Sequence, residues 1–312
     1  MNLEASDDSI MMNKADWQAV LPAITTPFGA DMSVDIAFLR RHVAWLVENG
    51  CRGIVTPGSL GEGGTLTAGE KVAIWRACVE EVGARVPVVA AISALSTAEA
   101  VHGARAAKVA GCRGLMVLPP YVYRGPWREI RAHFAATIAA TDLSVMLYNN
   151  PIAYGTDMLP EQIADLAGEF KNVHAVKESS ADVRRLTAIK ALIGDRLALL
   201  VGVDDLIVEG IAAGATGWIA GLVNAFPKES VDLFNLARAG KHAEAEALYK
   251  WFLPLLRMDV VPEFVHLIKL VQQEVGMGNE RVRGPRLPLA GEIRERCLSE
   301  LRTAMATRAK GS

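Results

Sequence analysis

The sequence predicts a (β/α)8 TIM barrel, an α/β fold, continued by a C-terminal helical extension. Three observations carry that expectation. Eight short apolar runs recur between residues 21 and 220, spaced by roughly 20 to 35 residues, the length of one βα unit. The runs lack polar alternation, as do strands covered on both faces in a parallel sheet. An imperfect repeat places a helix-closing glycine just before a strand. It reads Glu48-Asn49-Gly50-Cys51-Arg52-Gly53-Ile54-Val55 and is echoed by Val109-Ala110-Gly111-Cys112-Arg113-Gly114-Leu115-Met116. A weaker echo is Ala212-Ala213-Gly214-Ala215-Thr216-Gly217-Trp218-Ile219.

The elements follow in order. A polar, acidic leader is expected over residues 1–15, because no apolar core of a signal peptide is present there. The barrel is expected over residues 16–225. Its first strand is Leu21-Pro22-Ala23-Ile24-Thr25-Thr26 and its second Gly53-Ile54-Val55-Thr56, which runs into a glycine-rich turn. Thr67-Ala68-Gly69-Glu70 then fits a capping box and starts a helix. The third strand is Val86-Pro87-Val88-Val89-Ala90-Ala91, and Ser96-Thr97-Ala98-Glu99 is a second capping box. Strands four to six are Gly114-Leu115-Met116-Val117-Leu118, Ser144-Val145-Met146-Leu147-Tyr148 and His174-Ala175-Val176-Lys177. Strands seven and eight are Ala198-Leu199-Leu200-Val201-Gly202 and Thr216-Gly217-Trp218-Ile219-Ala220. No GxGxxG follows the first strand, which weighs against a dinucleotide-binding doubly wound sheet. Residues 226–312 show helical periodicity only, at 228–239, 243–256, 263–275 and a last helix beyond an Arg/Gly/Pro loop.

Bulk properties narrow the function. The 312 residues are 51% hydrophobic and 22% charged, with net charge -2 and a pI of about 6.3. Without a basic excess there is no electrostatic footprint for nucleic acid or anionic membrane. Cys51, Cys78, Cys112 and Cys297 are scattered, the usage of a reduced cytoplasmic protein. No apolar run reaches the roughly 18 residues that cross a membrane. The six histidines form no metal-binding spacing, so no metal and no cofactor are expected.

In such barrels the chemistry sits at the C-terminal ends of the strands. Lys177 ends strand six. A lysine buried among apolar neighbours is held as a free amine, a nucleophile able to form a Schiff base with a ketone. The bland alternative is a lysine that snorkels to solvent. Tyr148 ends the preceding strand, where a phenol can shuttle protons beside an imine carbon; it could equally be an amphipathic rim residue. Gly58-Ser59-Leu60-Gly61-Glu62 offers backbone N–H groups and the Ser59 hydroxyl to a carboxylate. Ser59 is also placed to pass a proton to Tyr148, although most glycine-rich turns are only tight connections.

The ordered set Gly58-Ser59-Leu60-Gly61-Glu62, Tyr148-Asn149-Asn150-Pro151, Val176-Lys177-Glu178, Gly202-Val203-Asp204-Asp205 and Gly214-Ala215-Thr216-Gly217-Trp218-Ile219 resembles one family across about residues 18 to 300. That family is the dihydrodipicolinate synthase / N-acetylneuraminate lyase group of class I, Schiff-base aldolases. The resemblance implies Lys177 as imine former, Tyr148 as proton shuttle, and Ser59 with the Leu60 N–H as carboxylate binders beside Gly58. It implies that Ile219 lines the pocket next to the lysine and that Gly202 and Asp204 border the substrate tail. It also implies a homotetramer built as a dimer of dimers.

Departures from the family pattern bear on substrate. The usual Thr-Thr pair of the loop is Ser59-Leu60, and the second tyrosine after the strand-four Pro-Tyr is Val122, with Tyr123 one further on. The usual arginine after the strand-five proline is missing from Ile152-Ala153-Tyr154-Gly155. Losing a bidentate carboxylate clamp is not conservative, which disfavours condensation of pyruvate with aspartate semialdehyde. Asn149, Asn150 and Tyr154 suggest a neutral, hydroxyl-bearing or ring tail. Expected substrates are a 2-keto-3-deoxy sugar acid, 4-hydroxy-2-oxoglutarate or the hydroxylated pyrroline carboxylate of hydroxyproline breakdown. A metal-dependent aldolase using Asp204-Asp205 and a catalytically silent 2-oxo-acid-binding barrel are the rival classes.

Overall fold

The computed structural model describes residues 12–308. Its elements alternate as the apolar runs require: β1 (Val20–Pro22), α1 (Ile36–Glu48), β2 (Ile54–Thr56), α2 (Ala68–Val82), β3 (Val88–Ile92), α3 (Thr97–Val109), β4 (Gly114–Val117) and α4 (Trp127–Ile138). Then come β5 (Ser144–Asn149), the single-turn α5 (Pro151–Tyr154), α6 (Pro160–Glu169), β6 (Val173–Glu178), α7 (Arg184–Ile193), β7 (Ala198–Val201), α8 (Ile207–Ala212) and β8 (Gly217–Ala220). The extension holds α9 (Pro227–Arg238), α10 (His242–Leu256), α11 (Phe264–Glu274) and α12 (Gly291–Thr307).

All neighbouring strands pair in parallel, in the order β1-β8-β7-β6-β5-β4-β3-β2. A parallel bridge between Ala23 and Val55 closes the ring, so this is a (β/α)8 barrel. Two apolar layers follow from the pleat. Leu21, Val89, Met116, Met146, Ala175 and Leu200 fill the barrel interior. Ile54, Val88, Leu115, Val145, Val176 and Leu199 face the helices. The strands are therefore buried on both sides, which is why their sequences show no alternation.

The local signals behave as their chemistry demands. Gly50, Gly111 and Gly214, the repeat glycines, have φ of 96°, 92° and 105° and end their helices in a conformation that side chains disfavour. Thr67 and Glu70 form a reciprocal capping box, and Ser96 accepts from the Glu99 N–H. Of the expected leader, residues 1–11 lie outside the described residues. Met12 to Ala15 do not continue it. Met12 is buried, Asn13 caps a short 3-10 turn, and Trp17 plugs the lower end of the barrel, donating to Ser144 Oγ at 2.9 Å. Among the described residues, no helix is long and apolar enough to cross a membrane.

Candidate active site

One strand irregularity decides where Lys177 points. β5 and β6 run in register at Val145–Val173, then shift, so that Met146 pairs with Ala175 and Tyr148 with Lys177. Val173 faces the helices while Ala175, two residues later, faces the interior. A regular strand would keep them on one face. The bulge at His174 therefore turns Lys177 into the barrel; such bulges commonly re-aim a side chain beside an active site. His174 is held there by Ser144, its Nδ1 lying 2.8 Å from the Ser144 hydroxyl.

Lys177 and Tyr148 are 7% and 4% exposed, and the Lys177 Nζ sits 4.1 Å from the Tyr148 ring centroid. The lysine stem climbs past the bare α-carbon of Gly202. A Cβ there would lie 2.4 Å from Lys177 Cε and 2.1 Å from Ser179 Oγ. Above them opens a cavity of about 670 Å3. Gly58, Ser59 and Leu60 line one side, Asn150 and Tyr154 another, and Gly202 and Ile219 border the lysine.

The glycine-rich turn at residues 58–62 is fixed from behind. Its turn is closed by Glu62 N–H to Ser59 C=O and Gly63 N–H to Gly58 C=O, at 3.1 and 3.0 Å. Among the described residues, the Ser59 and Leu60 amides have no backbone acceptor. Glu62 adopts φ of 55° and sends its side chain away from the cavity to Lys269 of α11, at 2.7 Å. Arg283 N–H also donates to it at 2.9 Å.

The structure revises three expectations. Ser59 does not bond Tyr148; its hydroxyl meets the hydroxyl of Tyr154. Tyr154 in turn packs edge-on against Tyr148, with centroids 5.7 Å apart, and against Tyr121 at 5.6 Å. Burial pushes the Tyr154 phenol up, so it stays protonated and can relay a proton only as a neutral hydroxyl. Asn149 does not reach the cavity. It donates to Glu178 at 3.1 Å and accepts from Met158 N–H at 2.9 Å, tying β5 to the following loop. Asp204 is fully buried and also faces away. It accepts from Trp218 Nε1 at 3.0 Å, Gly221 N–H at 3.1 Å and Leu222 N–H at 2.8 Å. Desolvation raises its pKa to about 6 against those donors.

The cavity also recruits residues that sequence reasoning missed. Ser179 follows Lys177 by two positions on the same face; it is buried and lines the cavity, and its hydroxyl has no hydrogen-bond partner among the described residues. Asp205, not Asp204, is the carboxylate of its pair that borders the space. Asp259 and the stretch Val260, Val261, Pro262 and Phe264, from the extension, close one wall. The strand-six spacing could have signalled Ser179. Nothing local signalled Asp259.

A lysine and a tyrosine on adjacent strands at the mouth of a (β/α)8 barrel are the arrangement of a class I, Schiff-base-forming aldolase or lyase. The dihydrodipicolinate synthetase family profile matches residues 16–304, and the chain belongs to that family. It is 35% identical over 279 residues to the 4-hydroxy-tetrahydrodipicolinate synthase of Moorella thermoacetica, covering 89% of this chain and 94% of that one. It is 34% identical to the enzyme of the same name from Methylobacterium radiotolerans, covering 86% and 89%. The crystal structure of a dihydrodipicolinate synthase from Bacillus anthracis superposes with a TM-score of 0.88 at 28% identity, over 94% of this chain and 99% of that one. The Acinetobacter baumannii enzyme, solved with pyruvate, gives 0.88 at 28% identity over 93% and 99%.

Proposed function

We propose that this chain is a lyase acting on a small 2-oxo acid through an imine at Lys177. The carboxylate of the substrate rests on the Ser59 hydroxyl and the Ser59 and Leu60 amides. Lys177 Nζ adds to the C2 carbonyl and the carbinolamine loses water to give an iminium, which draws electrons so that a C–C or C–O bond further along the chain breaks; water then hydrolyses the imine and frees the lysine. Tyr148 carries protons to and from the carbinolamine, with Tyr154 linking it to Ser59. The observation that carries this reading is the buried Lys177 Nζ over the Tyr148 ring at the floor of the cavity.

The test is borohydride reduction in the presence of pyruvate, followed by peptide mass spectrometry. The expected result is a reduced pyruvyl adduct on Lys177, absent from Lys177→Ala. Absence of any adduct with a panel of 2-oxo acids would sink the reading and favour a binding barrel.

A second reading, 4-hydroxy-tetrahydrodipicolinate synthesis from pyruvate and aspartate semialdehyde, is favoured by the names of the relatives. Against it, no arginine lines the cavity among the described residues. Arg124 packs on the bare α-carbon of Gly155 and is not a cavity residue. The wall there is Ile152, Ala153 and Tyr154, which suits a hydroxylated chain or compact ring. Candidates are 2-keto-3-deoxy sugar acids, 4-hydroxy-2-oxoglutarate and hydroxylated pyrroline carboxylate. Product analysis across these and the semialdehyde pair separates the two readings.

A further inference from the structure

Two neighbouring strands end in glycines whose missing side chains make room for something. At the end of β7, Gly202 clears the stem of Lys177. Just past the end of β8, Gly221 clears the carboxyl of Asp259: a Cβ at Gly221 would lie 2.0 Å from Asp259 Oδ1 and 2.4 Å from its carboxyl carbon. Gly221 has φ of -100°, a value any residue adopts. The backbone therefore does not require glycine there; the room for the carboxyl does.

Asp259 sits in the turn between α10 and α11 and reaches the barrel mouth from the extension. It is partly buried and lines the cavity. Desolvation, followed by the carboxylate of Asp204, raises its pKa well above the ordinary range, and Lys177 opposes the shift. Among the described residues, no hydrogen bond reaches its carboxyl. Asp205, the other cavity carboxylate, already faces Arg257 at 3.7 Å. Asp259 thus presents an unanswered acid to the cavity, and Ser179, whose buried hydroxyl has no partner among the described residues, lines the same space. A buried polar group left unpaired is costly, so such groups commonly mark where a ligand completes the bonding.

We propose that Asp259 is a specificity-determining residue that contacts the far end of the substrate and selects a tail ending in a hydrogen-bond donor, a hydroxyl or an ammonium, over a tail ending in a carboxylate. The inference rests on the Lys177 imine, which fixes the near end of the substrate and points the tail across Gly202 and Gly221. A tail donor satisfies the acid's acceptor oxygens, whereas a tail carboxylate offers no donor to the Asp259 and Asp205 carboxyls and, among the described residues, finds no arginine lining the cavity to answer it.

The test uses the full-length protein and three 4-hydroxy-2-oxo acids of equal chain length, ending in CH2OH, CH2NH3+ and COO-. Wild type should favour the two donor tails in kcat/KM. Asp259→Asn should lower that preference by about tenfold to a hundredfold, the worth of one bond to a charged or buried partner. The hydroxyl and ammonium arms distinguish the two donors: a fall confined to the ammonium arm assigns Asp259 as a counter-ion, and a fall in both assigns a hydrogen bond. Gly221→Ala, which pushes the carboxyl away without removing it, should shift the preference in the same direction. Because each readout is a ratio between tails on one variant, a general loss of folded enzyme cancels. Pyruvate has no tail, so borohydride trapping of wild type on pyruvate reports the imine alone. Trapping with an unchanged tail preference in Asp259→Asn overturns the assignment of Asp259 and leaves the imine standing; no trapping removes both.

Discussion

Removing the Lys269 charge should destabilise the protein and loosen the turn that carries Ser59 and Leu60 together. Lys269 and Glu62 are 1% and 0% exposed at the side chain and meet at 2.7 Å. The ammonium also lies 4.5 Å from the Phe28 ring centroid, and Arg286 stands 3.6 Å from the other Glu62 oxygen. Burial lowers the Lys269 pKa and Glu62 counters that shift, so each charge depends on the other. Lys269→Met keeps the stem's volume and strands the carboxylate; breaking a buried pair in this way costs about 3–5 kcal/mol. With an unfolding entropy of roughly 2 cal/mol/K per residue, a chain of this length loses about 1 °C of Tm per 0.6–0.7 kcal/mol. The expected fall is about 5–8 °C, read by calorimetry at fixed protein concentration because any assembly also shifts Tm. Glu62→Gln combined with Lys269→Met should recover more than about 1 kcal/mol relative to the sum of the single changes. Glu62 directly follows the loop of Ser59 and Leu60, so KM for the 2-oxo acid should rise in both single variants. A Lys269→Met protein melting within about 1 °C of wild type, with unchanged KM, would refute the reasoning.

Three further outcomes follow from the same geometry. Tyr148→Phe should lower kcat by about two to four orders of magnitude if the phenol moves protons at the imine, and near-normal turnover in single-turnover assays removes it from the mechanism. Gly202→Ala should slow borohydride trapping on pyruvate by more than about tenfold, because the new Cβ lies 2.4 Å from Lys177 Cε, with an overpacking cost of about 1–3 kcal/mol; trapping at the wild-type rate would show that the stem can move aside. His42 is fully buried, with Nε2 2.9 Å from the Asn224 carbonyl oxygen, and desolvation lowers its pKa to about 4. Since the unfolded chain takes up that proton first, stability is full above pH 6.5 and should fall by about 3 kcal/mol as pH drops from 6.5 to 4. Asp204, raised to about 6, acts with the opposite sign, favouring the folded state as pH falls through the range 6 to 4. His42→Gln should therefore flatten or invert the acid limb in urea titrations; an unchanged limb assigns it to other groups.

The barrel was legible because its signals are local and repeated. Two-sided burial wrote apolar runs without alternation, and the positive φ of Gly50, Gly111 and Gly214 forced the same residue at the same place in three units. The near end of the site was legible for the same reason, since Tyr148 and Lys177 lie at the ends of β5 and β6 and Ser59 in the turn that follows β2. What stayed hidden depends on register and on long-range approach. A one-residue shift flips every side chain of a strand, and nothing in Val173-His174-Ala175-Val176-Lys177 announces the bulge that brings Lys177 inward. Asn149 and Asp204 sit at strand ends too, yet their acceptors and donors are backbone groups and neighbouring side chains that only the folded chain supplies. Counting strand-end polar residues as substrate contacts therefore overreached at those two.

The helical extension is where local reasoning ran out, and it reaches both ends of the candidate site. Lys269, on α11, looks in sequence like one more polar residue of an amphipathic helix, but it holds the turn that would grip the substrate carboxylate. Asp259, ten residues earlier, lies against Gly221 beyond β8 and lines the same cavity. Both sit near one segment, with α11 beginning between them at Phe264, itself a cavity residue. A displacement of that helix would therefore change near-end grip and far-end selection together. The expected boundary at residues 225 and 226 separates barrel from extension by periodicity, but it does not separate structure from chemistry. In the proposed reaction the barrel would supply the Lys177 nucleophile and the Tyr148 proton shuttle, while the extension would hold the loop under one end of the substrate and place Asp259 beside the other.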